Sequence, residues 1–348
     1  MSRRALVARL DSAGDVLLAG PAVRAVAARN RVTMLCGPCG APAARLLPGV
    51  ADLVVWDCPW VSPEPPPVRA GELEGLVADL AARRFDEAVV LTSFHQSPLP
   101  LALLLRAAGV PRIAGASVDH AGALLDVRLV PGETLEEDQP EPERMLAIAA
   151  AAGHGLPPGD DGGLAVLDPP RLTGLGDEPY LVVHPGAAAP ARCWPAGHAA
   201  RAVELLHDGG HRVVVTGGPD ETELTAAVAG RHARDLGGRT DLAELSAVLA
   251  GATVVVAGNT SAAHLAAAVG TPVVSLFAPV VPAVRWRPYR VPHVLLGHQD
   301  AACRDSRARV CPIPGHPCLT SVEPAAVLAA VGRLTGATAH RAARGRPA

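Results

Sequence analysis

Short apolar runs alternate along the chain with longer stretches whose apolar positions recur at helical spacing. Residues 5–10, 31–35, 53–56 and 87–91 read as strands, and residues 20–28, with Pro21 in the first turn, and 73–84 read as helices. The strand runs are apolar at successive positions rather than at alternate ones. That is the pattern of strands covered on both faces of a parallel sheet. Residues 153–178 interrupt the alternation with Pro157-Pro158, Gly159, Asp160-Asp161, Gly162-Gly163 and Pro169-Pro170. Such a density of chain breakers suits a connection between domains. The alternation then restarts, with strands at 180–184, 212–216, 253–257 and 273–277 and helices at 197–206, 221–231, 242–249 and 262–269. The prediction is an α/β protein of two Rossmann-like domains, residues 1–165 and 166–336. Residues 337–348, with Arg341, Arg344 and Arg346, read as a frayed, solvated tail.

A length of 348 residues agrees with two domains. The chain is 49% hydrophobic and 19% charged, a globular balance, and its net charge of -3 gives no reason to expect nucleic acid as a partner. Aromatic residues are only 3%, so the core must be built from Ala, Val and Leu. All 31 basic residues are arginine, which excludes a lysine Schiff base and a Walker A loop. The first nine residues carry the charges of a signal peptide, but Arg9 and Asp11 interrupt any apolar core. The longest uncharged stretch, residues 245–284, contains Asn259, Thr260, Ser261, His264 and several Gly and Pro. It reads as strand, helix and strand rather than a membrane span. The expectation is a cytoplasmic protein whose seven cysteines are free thiols.

In open α/β sheets ligands gather outside the carboxyl ends of the strands, so four loops attract attention. The first is Asp11-Ser12-Ala13-Gly14-Asp15-Val16, where a carboxylate either caps the following helix or does chemistry. The second runs from His184-Pro185-Gly186 to Trp194-Pro195. Its amides and the following helix can bind a phosphate, and Arg192 can add a forked positive charge or lie solvated. In the third, Thr216-Gly217-Gly218-Pro219-Asp220-Glu221, the carboxylate can accept ribose hydroxyls or serve the helix dipole. In the fourth, Gly258-Asn259-Thr260-Ser261-Ala262-Ala263-His264, a polar run precedes a histidine on an otherwise apolar helix.

Taken together and in this order, these four loops resemble glycosyltransferase family nine, the ADP-heptose:lipopolysaccharide heptosyltransferases. The resemblance covers roughly residues 5–336 and is carried by 12–16, 184–186 with Trp194-Pro195, 216–221 and 259–274. It implies the GT-B arrangement, two Rossmann-like domains facing across a cleft, with the acceptor on the N-terminal domain and the donor mainly on the C-terminal one. By resemblance Asp15 is the catalytic base, with Ser12 and Gly14 beside it on the acceptor side. Ala187, Ala188 and Arg192 match the donor diphosphate loop, where the family often has hydroxyl residues and a lysine. Glu221 falls at or next to the acidic residue that contacts the nucleoside, and Thr240 lines the base. Asn259, Thr260, Ser261, Ala262 and His264 match the motif around the donor sugar and diphosphate, with Asn259 standing where an aspartate is usual. The implied reaction is inverting transfer of a heptose or related sugar from an ADP-activated donor to a glycan, glycolipid or small-molecule hydroxyl in cell-envelope biosynthesis. No cofactor is implied, and because no Asp-x-Asp motif is present, no metal is expected. The expected protein is a monomer with at most peripheral contact at the inner face of the membrane.

Other readings compete. Cys36-Gly37-Pro38-Cys39 has the form of a thioredoxin-type active site, although it follows the second strand run in a much longer chain. A nicotinamide dehydrogenase would use the same fold class, but no Gly-x-Gly-x-x-Gly follows any strand. A non-catalytic sugar-nucleotide binder fits if Asn259 and the two alanines have cost activity. Cys303, Cys311 and Cys318, near His298 and His316, suggest a metal cluster, but their spacing fits no zinc ribbon or finger. The alternative is a Pro-rich loop carrying reduced thiols.

Overall fold

The computed structural model describes residues 3–344 except 63, 172, 173 and 177, with side chains to residue 336. It divides into two compact units, Met1–Leu167 and Asp168–Ala348.

The first unit is built on β1 (Arg3–Ala8), β2 (Asn30–Cys36), β3 (Val50–Val55), β4 (Glu87–Val90), β5 (Ile113–Ala116) and β6 (Val127–Leu129). All are parallel, in the order β3-β2-β1-β4-β5-β6. Around them lie α1 (Ala13–Leu18), α2 (Gly20–Ala27), α3 (Ala41–Ala44), α4 (Ala70–Arg83), α5 (Leu99–Ala107) and α6 (Glu141–Ala151). Helices on both faces explain the unbroken apolar runs: Ala5, Leu6 and Val7 of β1 are all fully buried although they point alternately to opposite faces. Strand order reverses between β1 and β4, the place where such sheets open a crevice at their carboxyl edge. There Ala8 is level with both Leu35 and Val90, so the loops after β1, β2 and β4 emerge side by side.

The second unit repeats the plan. Its strands are β7 (Tyr180–His184), β8 (Val213–Val215), β9 (Arg234–Asp235), β10 (Ala252–Gly258), β11 (Val273–Leu276) and β12 (His293–Leu296), parallel and ordered β12-β11-β10-β7-β8-β9. The helices are α7 (Ala196–Asp208), α8 (Thr222–Ala229), α9 (Leu242–Ala250), α10 (Ser261–Ala268), α11 (Ala283–Trp286), α12 (Pro317–Thr320) and α13 (Pro324–Arg344). Here the reversal lies between β7 and β10. Ala257 pairs with His184 and Val183 with Val215, which brings the loops after β10, β7 and β8 to one edge.

The sequence reading and the structure differ in three places. Residues 153–167 fold onto the first unit rather than spanning between domains. Arg24 holds Asp160 through two nitrogens at 2.6 and 2.8 Å and also donates to the Gly163 carbonyl, while the Leu167 amide donates to Leu46. The backbone of α13 stays helical through Arg344, where a frayed tail was expected. Its Val327, Ala330, Val331 and Leu334 are buried at helical spacing, and the Ala- and Arg-rich continuation has high helix propensity. Residues 345–348 of that expected tail lie outside the described residues. Finally, α3, α5, α6, α11, α12, α13, β5, β6, β9 and β12 were not anticipated; the strands are only two to four residues long and α3, α11 and α12 only four, too short for a clear period.

Candidate functional site

In the first unit the loop after β1 turns at once into α1. Ser12 is the N-cap, its hydroxyl accepting from the Asp15 amide, so Asp15 is not the cap but a first-turn residue. Gly14 is buried beneath it. The Asp15 carboxylate is held at both oxygens: Oδ1 accepts from Arg9 at 3.0 Å and Oδ2 from the Ser12 hydroxyl at 2.7 Å. Its side chain keeps 19% exposure, whereas the Arg9 side chain has none. Arg9 also lies 2.8 Å from Asp11 and donates to the Ser93 hydroxyl at 2.7 Å. Gln96, from the loop after β4, donates to the other oxygen of Asp11 at 2.6 Å. Charged and polar groups thus stitch the two strand ends that flank the reversal point. Burial works against the charge on Arg9, but Asp11, Asp15 and Glu141 together hold its pKa above the ordinary value. Burial pushes the Asp11 carboxyl up, aided by repulsion from Asp15, while Arg9 pulls it back.

In the second unit the loop after β7 carries Ala187, Ala188 and Arg192. Arg192 ends a single 3-10 turn, Pro190–Arg192, and is half-buried. The loop is pinned from behind. The Ala191 amide donates to the Arg309 carbonyl, His316 Nε2 lies 3.0 Å from the Ala191 carbonyl, and Arg309 donates to the Ala188 carbonyl. Buried Trp194 donates to Val322. The loop after β8 folds against it: a Cβ on Gly186 would overlap the Glu221 carboxylate, whose Oε2 accepts from the Gly218 amide at 2.8 Å. Glu221 therefore serves its own turn as well as facing the β7 loop. His184 bonds Thr216 at 3.0 Å across the same strand ends. Burial holds its pKa below the ordinary value, with Glu221 pulling the other way. Half-buried Thr240 follows β9, whose loop is tied to the β8 loop by the Gly238 amide donating to Gly217.

The loop after β10 completes the set. A Cβ on Gly258 would come within 2.9 Å of the Arg192 carbonyl, so only glycine lets these two loops approach so closely. Thr260 caps α10 by accepting from the Ala262 amide, which commits its hydroxyl to the helix. Ser261 opens the helix, Ala262 is buried, and His264 is 3% exposed. Asn259 is 4% exposed, and its Nδ2 finds no acceptor among the described residues. A buried amide donor left in this state is costly unless a ligand satisfies it.

The structure thus brings Ala187, Ala188, Arg192, Glu221, Thr240, Asn259, Thr260, Ser261, Ala262 and His264 to one edge of the second unit, and Ser12, Gly14 and Asp15 to the corresponding edge of the first. Sequence reasoning missed Arg9, Asp11, Ser93 and Gln96. The available signal was the pair of charges, Arg9 and Asp11, at the end of the apolar run 5–8. The thioredoxin-like motif has the wrong chemistry: Cys36 is buried, and burial pushes its thiol up to about 11, opposite to an activated nucleophile. Cys303 and Cys318 sit in the hydrophobic core with Cys311 packed against it. Burial and the two neighbouring cysteines push Cys318 up to about 11.

Residues 75–316 match the model of glycosyltransferase family 9 (heptosyltransferase). The chain is 30% identical over 165 residues to lipopolysaccharide heptosyltransferase 3 of Escherichia coli; the match covers 44% of this chain and 46% of that protein, so the chain spans about half of its length. Among solved structures, E. coli ADP-heptose lps heptosyltransferase II superposes with a TM-score of 0.70 at 21% identity, covering 95% of this chain and 98% of that one. E. coli heptosyltransferase WaaC with ADP-2-deoxy-2-fluoro heptose gives 0.68 at 20% identity, covering 95% and 99%. With a matched family model that spans most of the chain, and the same fold in solved heptosyltransferases, this chain belongs to glycosyltransferase family 9.

Proposed function

We propose that the protein is an inverting glycosyltransferase that moves a heptose or related sugar from an ADP-activated donor to a hydroxyl of an envelope glycan, glycolipid or small molecule, without a divalent metal. The observation that carries this reading is the convergence of the Arg192, Glu221 and Asn259 loops, with the Asn259 amide lacking an acceptor among the described residues. A nucleoside diphosphate sugar suits these groups: its phosphate oxygens can accept from Arg192, the loop amides and the start of α10, and a hydroxyl or phosphate oxygen supplies the acceptor that the Asn259 amide lacks among the described residues.

In the first unit Asp15 is the base. The acceptor oxygen forms a bond to the anomeric carbon and passes its proton to the Asp15 carboxylate. The bond from that carbon to the diphosphate breaks, and the electron pair leaves with the nucleoside diphosphate. A base opposite the leaving group gives inversion, by the geometric logic that governs glycosidases. In the second unit Arg192 and the backbone amides take up the charge of the leaving group, which supports a route without a metal, as does the lack of an Asp-x-Asp motif. Asn259 in place of an aspartate gives the donor sugar an amide rather than a carboxylate, which alters the hydroxyl pattern it prefers. Among the described residues no helix is long and apolar enough to cross a membrane. We propose a cytoplasmic monomer that meets a lipid-linked acceptor, if that is its substrate, only peripherally.

The test is Asp15→Asn. ADP affinity by calorimetry is expected to stay within a factor of about two while turnover falls by about 10²–10⁴-fold. Turnover near that of the parent would remove Asp15 from the mechanism.

A further inference from the structure

The buried ion cluster behind Asp15 is more elaborate than a cap or a fold contact requires. One guanidinium meets three carboxylates: Arg9 lies 2.8 Å from Asp11, 3.0 Å from Asp15 and 3.8 Å from Glu141. Arg9 and Glu141 are completely buried, and the Asp11 side chain is 9% exposed. Asp11 and Asp15 contact the same guanidinium nitrogen, which also donates to Ser93. Gln96 donates to the far oxygen of Asp11, Oδ1, at 2.6 Å, and Ser93 donates at 3.2 Å to Oδ2, the oxygen that faces Arg9. Asp11 therefore cannot swing away and leave Arg9 to Asp15 alone. Asp15, the most exposed of the three acids, is the one whose carboxylate can reach a bound molecule.

From this geometry we infer that Arg9 is a positioning residue that fixes the orientation and charge of the Asp15 carboxylate, and that Asp11 sets how much of the Arg9 charge Asp15 receives. The inference rests on the reading of Asp15 as the base. A base in a partly dry site has two requirements that conflict: it must stay ionised until the acceptor arrives, and it must still accept a proton. A guanidinium at 3.0 Å meets the first but would make the carboxylate a poor base if its whole charge were spent there. A second carboxylate on the same nitrogen divides that charge. The other charged and titratable groups packed around the cluster are Glu141 on α6, Arg144, which donates to the Thr92 carbonyl and pairs with Glu137, and the buried thiol of Cys58, which Asp11 helps hold in its neutral form. None of these comes between Arg9 and Asp15, whose hydrogen bond is direct.

The experiment follows the carboxyl carbon of Asp15 by NMR against pH in full-length protein labelled at aspartate, with the signal assigned by its loss in Asp15→Asn. Arg9→Met is expected to raise the Asp15 midpoint by about one to three pH units, and Arg9→Lys to recover part of that rise. Asp11→Asn is expected to move the midpoint the other way, downward, because Asp15 then loses a repelling neighbour and shares the guanidinium with Glu141 alone. A residue that merely held the loop together would not produce shifts of opposite sign. The acid limb of kcat/KM should follow the NMR midpoint in each variant. If Arg9→Met does not fold, Arg9→Lys and Asp11→Asn carry the test. Midpoints unchanged in the folded variants, or moved in the same direction by the loss of either partner, would overturn the inference. Failure of the base assignment is separate and shows as full turnover in Asp15→Asn with these midpoint shifts intact.

Discussion

Arg9 and Asp11 stand in the sequence as two charges at the end of the apolar run 5–8, where Arg9 is read as part of the strand and both interrupt a would-be leader. In the folded chain each is held by several partners at once: Arg9 by Asp11, Asp15 and Ser93 with Glu141 at 3.8 Å, and Asp11 by Arg9, Ser93 and Gln96. Their types and positions were readable, but their partners were not, because Ser93, Gln96 and Glu141 lie more than 80 residues away along the chain. Asp15 was readable from its place before a helix, and so was the question of whether it is a cap; Ser12 answers that by taking the cap itself. At Asn259 the sequence shows an amide where the family expects an acid. Only the structure shows that the amide is buried with its donor unsatisfied among the described residues. Glu221 shows that two readings of one residue can both hold, since its carboxylate closes its own turn and also lies against Gly186.

At the scale of elements, the central strands were legible because residues buried on both faces leave an unbroken apolar signal, as in Val254, Val255 and Val256 of β10. Edge strands such as β9, two residues long, carry no such signal. Loop contacts were not legible at all, and glycines decide them here. Gly186→Ala leaves the backbone of β7 intact but forces the Glu221 carboxylate off the Gly218 amide. The displaced group is the far end of a flexible side chain, so the cost in stability should be limited to about 1.5–3 kcal/mol, that of one lost hydrogen bond to a charged group. Nucleotide affinity should fall by about tenfold, or about 1.4 kcal/mol. Calorimetry with ADP and a thermal melt separate the two effects. An unchanged ADP affinity in a folded Gly186→Ala protein would mean that the β8 loop does not shape the nucleotide site.

The whole molecule consists of two units with separate cores, and their ionisable groups respond to acid over different ranges. In the second unit burial holds His184 below its ordinary value of 6.5, so the folded state favours the neutral ring. Its contribution to stability is present above that pH and is lost as pH falls toward the lower folded value. In the first unit His154, whose Nε2 lies 3.2 Å from the carboxylate, holds Glu87 below its ordinary 4.5, and Arg24 holds Asp160 below 3.8. Both contribute above those values and lose their contribution only as pH falls through the still lower folded ones. Asp11, pushed up by burial, works in the opposite direction and partly offsets them. On acidification the second unit should therefore weaken first, beginning near pH 6.5, ahead of the first. Hydrogen exchange read separately for the two units between pH 7 and 5 should show this order, and His184→Gln should abolish the early loss. Equal loss in both units, or no change in His184→Gln, would count against the assignment.

Donor recognition by the second unit is the claim from which the rest of the functional account follows, and calorimetric titration with ADP, GDP and UDP tests it directly. The account predicts that ADP binds more tightly than the other two and that Arg192→Ala, folded as judged by its melt, loses at least tenfold in ADP affinity, the 1.4 kcal/mol that one charge-assisted contact to phosphate supplies. Absence of ADP binding to the parent protein, or the same affinity with and without the Arg192 guanidinium, would contradict it.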